Sequence, residues 1–188
     1  AEDCRGCHEI YNPFDNVEFP IYSRWSGSMM ANAARDPLFH AALAVANQDA
    51  DFAGDMCIRC HSPGGWLEGR SLPTDGSALR NQDFEGVTCN FCHRMVDPDF
   101  KPDVSPARDQ PILDALENAG LLPIRPGNAA YVVEAVDVRR GPFNDIEVNY
   151  HFDADIVYSP FHSQSDLCAT CHDVSNPAFV RQLDGAYA

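Results

Sequence analysis

The feature that most constrains this chain is a five-residue pattern, Cys-x-x-Cys-His, which occurs four times, at residues 4–8, 57–61, 89–93 and 168–172. Two thiols at this spacing can add to the two vinyl groups of one porphyrin, and the histidine that follows can bind the iron as its proximal ligand. The pattern therefore predicts four covalently attached haems c. It uses all 8 cysteines of the chain: Cys4, Cys7, Cys57, Cys60, Cys89, Cys92, Cys168 and Cys171.

Paired cysteines also have other uses. Zinc ribbons bind a metal with four thiolates from two Cys-x-x-Cys pairs, an even cysteine count is typical of disulfide frameworks, and a single pair can be a redox motif. None of these needs a histidine after every second cysteine, yet a histidine follows in all four cases. The histidines therefore favour haem. The predicted proximal ligands are His8, His61, His93 and His172.

Length and composition predict an irregular chain built around its cofactors. The 188 residues include 14 prolines and 12 glycines, which indicates many turns and few long regular elements. Four macrocycles would supply most of the core, so a large side-chain core is not required. We predict one tetrahaem domain, residues 1–188, made mainly of short α-helices and irregular loops wrapped around four covalent haems.

A few helices can be located from their terminal residues. Residues 22–34 are predicted to be helical. Asp36 as N-cap, with Pro37 following, predicts a second helix that runs to about residue 53, with Gly54 past its end. Its apolar residues cover most of its circumference, so we expect it to be buried on all sides. A third helix is predicted at 112–119, ending at Gly120.

The stretch between the third and fourth pentapeptides has a different character. Residues 131–138 and 147–152 are rich in β-favouring side chains and are separated by turn-forming residues. They predict a small β-hairpin, a peripheral insertion near 129–152. The last Cys-x-x-Cys-His is predicted to open a short helix that is capped by Ser165 or a nearby residue.

The histidines are too few to fill the second axial position of every iron. Of 7 histidines, four belong to the pentapeptides. The other three, His40, His151 and His162, allow at most three bis-histidine haems. Association of identical chains does not change this count, because each chain would donate a histidine that its own haem then lacks.

The sequence surroundings of these three histidines differ. His40 lies on the second predicted helix, where the small Ala44 would let a flat ring approach, so iron binding is favoured; the alternative is a core histidine bonded to a backbone carbonyl. His162 lies too close to Cys168 in sequence to reach around that haem, so a neighbouring haem is the more natural target. His151 would be an exposed strand histidine by its pattern alone, and the shortage of ligands favours coordination.

The fourth iron would take a methionine or remain open. Met29 and Met30 lie on the first predicted helix and are the preferred candidates, whereas Met56 and Met95 flank haem motifs and would have to turn toward another haem. Methionine more often fills core gaps, and a water-bound iron is the alternative. A histidine–methionine haem would have a raised reduction potential relative to bis-histidine haems.

Charge and hydropathy limit the partners. The net charge of −15 disfavours binding to nucleic acid and to anionic lipid, and it suits redox partners with basic docking patches. No stretch approaches the roughly 20 apolar residues of a membrane span. We expect a mature periplasmic or extracellular protein whose leader has been removed. Several arginines are candidates to pair with haem propionates: Arg59, Arg70, Arg94, Arg139 and Arg140.

With these four motifs and their ligand supply, the chain resembles the tetrahaem and larger multihaem c-type cytochromes of bacterial and archaeal respiration. The resemblance implies the multihaem cytochrome c fold class and a periplasmic or cell-surface electron carrier whose haems pack in close chains. Some members polymerise into filaments, and pentapeptides near both ends of this chain are compatible with head-to-tail association. The chain departs from many tetrahaem carriers in lacking one distal histidine.

Three functions follow from these observations. The first is electron transfer without catalysis. The second is a redox enzyme in which one haem with an open position reduces a small inorganic substrate. All four motifs end in histidine, which weakens the case for an enzyme. The third is a subunit of a larger respiratory complex.

Overall fold

The chain forms two compact units, Ala1–Cys92 and His93–Ala188, so the division falls inside the third pentapeptide. The prediction of a single domain over residues 1–188 stays a prediction. The structure is a computed structural model, and it describes residues 2–9, 20–124, 127–146 and 155–175.

The first unit is built from short helices. Its core contains Phe39 and Leu43 of one helix together with Ile58 and Leu79. The helices are α1 (Glu2–His8), α2 (Ile21–Ser26), α3 (Met29–Asn32), α4 (Pro37–Asp49), α5 (Ala53–His61), α6 (Pro63–Leu67) and α7 (Cys89–Cys92), with a 3₁₀ helix at Asn81–Glu85.

The helix predicted at 22–34 is interrupted. It consists of α2 and α3, which are separated at Gly27 and Ser28. The backbone N–H of Ala31 donates to the Ser28 hydroxyl at 3.3 Å, so Ser28 caps the second piece. Because serine competes for backbone hydrogen bonds, it starts a new helix more readily than it continues an old one.

The start of α4 confirms the predicted cap, but its end does not. The backbone N–H of Leu38 donates to the Asp36 carboxylate at 2.9 Å, with Pro37 as the first helical residue. The helix stops at Asp49, and Gly54 lies inside α5 rather than past the end of α4. A Cβ at Gly54 would lie 2.0 Å from the Thr74 carbonyl oxygen, so this glycine allows two backbones to approach closely.

The burial expected on all sides of α4 is not found. The helix buries Phe39 and Leu43, while Leu38 on its opposite side is 78% exposed. Val45, two turns further along the same side, is also exposed. The protein alone therefore covers one face of α4.

The second unit combines short strands with two helices. Its core contains Val96, Leu113 and Val132. The helix predicted at 112–119 is confirmed, and Gly120 follows it with a φ of 68°. The elements are β1 (Met95–Val96), α8 (Gln110–Asn118), β2 (Val132–Val133), β3 (Val138–Gly141), β4 (Asp155–Tyr158) and α9 (Ser165–His172), with 3₁₀ helices at Ala107–Asp109 and Pro160–Ser163.

The β-structure between the third and fourth pentapeptides pairs differently from the predicted hairpin. β2 pairs antiparallel with β1, and β3 pairs in parallel with β4. The first predicted strand, 131–138, thus supplies two short strands with separate partners, while the second, 147–152, lies outside the described residues. β3 is largely buried rather than peripheral. A β-favouring composition indicates a strand without indicating its partner.

The last pentapeptide ends a helix rather than opening one. α9 begins at Ser165 and reaches its final residue at His172. Gln164 occupies the N-cap position and makes no capping hydrogen bond with its side chain. Ser165 is thus the first helical residue rather than the cap, and the cap position falls on the neighbouring Gln164.

Candidate haem sites

The pentapeptides share one position in the secondary structure. Three of them form the last turns of α1, α5 and α9, with the histidine as the final helical residue. Residues at positions i, i+3 and i+4 lie on one face of a helix. The two thiols and the imidazole of each motif therefore project to the same side, which is the arrangement that one porphyrin and its iron require. In the third motif, Cys89 and Cys92 are the first and last residues of α7.

The cysteines are present as thiols. All eight cysteines lie within the described residues, and none forms a disulfide. Among those residues, no three His, Cys, Asp or Glu side chains come close enough to hold a metal ion. Burial, followed by the neighbouring Cys60, raises the pKa of the Cys57 thiol. A thiol with a raised pKa remains protonated near neutral pH.

Two pentapeptides meet within the first unit. The Cys4 thiol on α1 and the Cys89 thiol on α7 lie close enough to interact. This interaction, together with burial, raises the pKa of Cys89 above its ordinary value. Haems attached at these two positions would therefore have neighbouring edges.

His61, the predicted proximal ligand of the second haem, is fixed in orientation. Its Nδ1 donates to the carbonyl oxygen of Ala33 at 2.9 Å. Its ring stacks on Phe39, with 4.2 Å between ring centroids and 10° between planes. A histidine held through Nδ1 by a backbone carbonyl keeps Nε2 available for a metal, as is common for metal-binding histidines.

His40 is hydrogen-bonded to the carbonyl of Ala34, the residue that follows the partner of His61. Its Nε2 lies 3.0 Å from the carbonyl oxygen of Ala34, and its ring packs edge-on against Phe39 at 5.1 Å. This is the arrangement of a carbonyl-bonded core histidine, which the sequence left open as the alternative to ligation. A ligand role for His40 stays a prediction, and in this conformation it would use Nδ1.

His93 and His162 face one another in the second unit. Their ring centroids are 6.0 Å apart and their planes differ by 13°. Nδ1 of His93 donates to the carbonyl oxygen of Arg140 at 2.6 Å, and the N–H of Arg140 donates to the carbonyl oxygen of His93 at 2.7 Å. His93 thus makes two hydrogen bonds to one residue of β3.

The remaining predicted histidines differ in what the structure shows of them. His8 and His172 are exposed at the ends of α1 and α9. The end of α9 is held by two backbone N–H groups, from Asn128 to the Asp173 carbonyl and from Ala129 to the Thr170 carbonyl, each at 2.8 Å. His151 lies outside the described residues, so its role as a ligand stays a prediction.

The methionine candidates lie on α3 and face outward. The side chain of Met29 is 77% exposed and that of Met30 is 47% exposed. The carbonyl oxygen of Met30 accepts a hydrogen bond from the N–H of Val87 at 2.9 Å, which places α3 beside the approach to the third pentapeptide. Their role as ligands stays a prediction.

The candidate propionate arginines have protein partners. Arg70 pairs with Asp83 at 2.6 Å, and Arg139 with Asp137 at 2.7 Å. The other three are likewise engaged. Arg94 donates to the carbonyls of Glu134 and Ala135, Arg59 lies over the ring of Trp66, and Arg140 pairs with Asp109 and Glu134.

Arg140 is the centre of a buried ionic cluster. Its side chain is fully buried, and its guanidinium contacts Asp109 at 2.7 Å and also Glu134. Burial raises the pKa of Asp109 in spite of the Arg140 hydrogen bond. Burial acts in the same direction on Glu134, but hydrogen bonds from Arg108 and Arg140 outweigh it and hold that pKa below its ordinary value.

Sequence reasoning missed the groups that orient the imidazoles. The carbonyls of Ala33 and Arg140 belong to the backbone, so no side-chain pattern marks them. Phe39 is one of several apolar residues on the helix that follows Asp36. Its position directly before His40 gives no indication that its ring stacks on His61.

The described part of the chain contains no helix with the length and apolar character needed to cross a bilayer.

Comparison with known families gives one match. Residues 3–94 match the model of a family described as cytochrome c554 and c-prime. That range contains the first three pentapeptides, and the fourth lies beyond it. The chain matched no curated protein and no solved structure. The match and the helix-borne pentapeptides within it support a multihaem c-type cytochrome that binds haem c covalently.

Proposed function

We propose that the chain transfers electrons through four covalent haems c, one at each pentapeptide, in the periplasm or outside the cell. The observation that carries this proposal is the closeness of the Cys4 and Cys89 thiols, which belong to two different pentapeptides. Each sulfur would be bonded to the edge of its own porphyrin, so the two haems would lie close together. Closely spaced haems are suited to relaying electrons.

The axial ligands would set the reduction potentials. His61 and His93 each donate from Nδ1 to a backbone carbonyl, which raises the basicity of the nitrogen left for iron. Up to three haems would be bis-histidine. A fourth haem with Met29 or Met30 as sixth ligand would have a higher potential than the others.

The second candidate is a redox enzyme or an enzyme subunit. It is favoured by the count of 7 histidines for eight axial positions and by the outward orientation of Met29 and Met30. An iron without a sixth protein ligand could bind a small inorganic substrate. We place this second because all four pentapeptides end in histidine, so no motif has a replaced proximal ligand.

The partners would be recognised by charge. A net charge of −15 suits redox proteins with basic docking patches, and such docking weakens as salt increases. Association into a homo-oligomer or filament would continue the relay between copies. Electron microscopy over a range of protein concentrations tests this, and monomers at every concentration would exclude the filament.

The first experiment is to count the haems and identify their ligands. Intact mass and the pyridine haemochrome spectrum should give four covalent haems, and a Cys168→Ser/Cys171→Ser variant should give three. Low-temperature EPR with near-infrared absorption then separates the candidates. Four low-spin irons, one of them with a methionine charge-transfer band, support the electron carrier. One high-spin iron brings the enzyme forward, and a chain without haem contradicts both.

A further inference from the structure

The rings of His93 and His162 have the separation expected of two axial ligands. With metal–imidazole bonds of about 2 Å, imidazoles on opposite faces of one iron have ring centres roughly 6 Å apart. The observed distance is 6.0 Å, with 13° between the planes. Ordinary aromatic neighbours also occur at about 4.5–7 Å, so the distance alone does not decide.

The hydrogen bonding of His93 gives a second argument. Nδ1 donates to the Arg140 carbonyl, so the imidazole has Nε2 left for a metal. The reciprocal bond from the Arg140 N–H to the His93 carbonyl fixes the backbone as well as the ring. This is the support that metal-binding histidines usually receive from surrounding groups.

A third argument is that strand β3 is linked to both histidines, directly to His93 and through Ser159 to the backbone of His162. The His93 ring is bonded to Arg140, and the next residue, Gly141, accepts a hydrogen bond at 2.8 Å from the N–H of Ser159. The carbonyl of Ser159 in turn accepts one from the N–H of His162 at 3.1 Å. Strand β3 therefore connects the His93 ring to the His162 backbone through three hydrogen bonds.

The strand itself is anchored. The Arg140 side chain is fully buried between Asp109 and Glu134, and Arg108 holds Glu134 from the other side at 2.8 Å. Such a network orders the backbone that carries it. The His93 ring and the backbone of His162 are thus connected to a buried, anchored strand rather than to a surface loop.

We propose that His93 and His162 are the two axial ligands of one haem iron and that strand β3 fixes their separation. This inference rests on the proposed function, because it requires a haem at the third pentapeptide. It places His162 opposite the proximal histidine of the third haem and not on the haem of the fourth pentapeptide, which follows it in sequence.

The first test uses the haem-loaded protein with His162→Ala. Low-temperature EPR should show one more high-spin iron than in the unchanged protein, while intact mass shows the same number of haems. Ser163→Ala, on the same 3₁₀ helix, is the matched control and should leave the spectrum unchanged. If His162→Ala leaves every low-spin signal in place, His162 binds no iron and the proposal fails.

The second test asks which iron His162 binds. A Cys89→Ser/Cys92→Ser variant removes the third haem, and its remaining haems are counted by mass. Adding His162→Ala to this variant should create no further high-spin iron, because the iron that His162 serves is already absent. A further high-spin iron would show that His162 binds another haem.

If the cysteine variant does not accumulate, a crystal structure of the haem-loaded protein decides the pairing. Nε2 of His93 and a ring nitrogen of His162 should lie on opposite faces of the same iron. Four haems with His162 on a different iron would overturn this inference and leave the proposed function intact. A chain without haem would instead overturn the proposed function.

Discussion

The two units hold a pentapeptide histidine in different ways. In the first unit, His61 is bonded to a helix-end carbonyl at Ala33 and stacks on the buried ring of Phe39. In the second, His93 is bonded to a strand carbonyl at Arg140, and the strand is anchored by buried charges. The same task, orienting Nδ1 and leaving Nε2 available, is performed by apolar packing in one unit and by an ionic cluster in the other.

The ion pairs of the two units also differ: the arginine is partly exposed in the first unit and fully buried in the second. In the first unit, Asp83 makes two bonds of 2.6 Å to Arg70, whose side chain keeps 17% of its surface exposed. Burial works against the charge of Asp83, but Arg70 prevails and its pKa is lowered. In the second unit, Arg140 is shared by two carboxylates and has no exposed surface, and burial raises the pKa of Asp109. A single arginine keeps one buried carboxylate ionised more easily than it keeps two carboxylates ionised.

The largest expected effect comes from Arg140→Met. It leaves Asp109 buried without a cation and Glu134 paired only with Arg108, which should lower the free energy of unfolding by about 3–5 kcal/mol. Guanidinium melts followed by circular dichroism measure this loss. The low-spin EPR signal that depends on His93 should broaden, because β3 is no longer anchored.

Arg139→Met provides the control for that variant. Its neighbour Asp137 is 66% exposed, so the loss of this surface pair should cost less than about 1 kcal/mol. Equal losses in the two variants would show that the cluster around Arg140 is not what distinguishes the second unit.

Asp83→Asn tests the ion pair of the first unit and should have a smaller, pH-dependent effect. At neutral pH the variant should lose about 2–3 kcal/mol, because Arg70 loses its two charge-assisted bonds to the buried Asp83 carboxylate and keeps only the exposed Glu68. The pKa of Asp83 is lowered in the folded chain from its ordinary value of 3.8. Its stabilisation is therefore complete above pH 3.8 and is lost as the pH falls toward the lower value of the folded state.

The measurement is the unfolding free energy of the unchanged chain and of the variant at several pH values. The difference between them should be constant at neutral pH and should shrink in acid below about pH 4. A difference that grows as the pH falls would contradict the lowered pKa.

Phe39→Leu tests whether the flat ring, rather than apolar volume, orients His61. Leucine keeps most of the buried volume, so the unfolding free energy should fall by only about 1 kcal/mol. The loss of stacking should nevertheless change the g-values of one low-spin haem in EPR. A variant with unchanged g-values would limit Phe39 to a packing role.

The smallest effect is expected from Ala129→Gly, and it should be stabilising. Ala129 has a φ of 56°, in the left-handed region that costs an L-residue about 1–2 kcal/mol. Glycine relieves this and loses part of the gain to chain entropy, which leaves about 0.5–1 kcal/mol. Thermal melts should show a small rise in the midpoint.

Gly86→Ala in the first unit is the opposite substitution, because it adds a Cβ at a left-handed position, whereas Ala129→Gly in the second unit removes one. Gly86 has a φ of 66°, and a Cβ there would lie 2.3 Å from the carbonyl oxygen of Met30. We expect clear destabilisation. If both substitutions lower stability, the left-handed backbone at Ala129 is not a source of strain.

Sequence patterns located the features that have a local cause. The Asp36 cap followed by proline marked the start of α4, and Gly120 marked the end of α8, since both act through bonds to adjacent residues. The cysteine spacing predicted motifs with one functional face. These predictions needed no knowledge of which segments come together.

Features with a distant cause could not be located in this way. The sequence predicts that Gly54 follows a helix end. In the structure a glycine is required there because the Thr74 carbonyl oxygen lies where a Cβ would be. From the sequence, Arg140 is a candidate to pair with a haem propionate, but in the structure its side chain pairs within the protein. Its partners are Asp109, directly before α8, and Glu134, directly after β2. Which strand pairs with which, and which imidazole faces which, depends on tertiary packing that one segment does not encode.

The partner of His93 has a consequence for biogenesis. His61 is bonded to Ala33, which lies 28 residues earlier in the chain, whereas His93 is bonded to Arg140, 47 residues later. In a chain that emerges from its N-terminus, the support for His61 is present as soon as His61 appears. The support for His93 is not, so the third haem site should mature after the second and should depend on synthesis having passed β3.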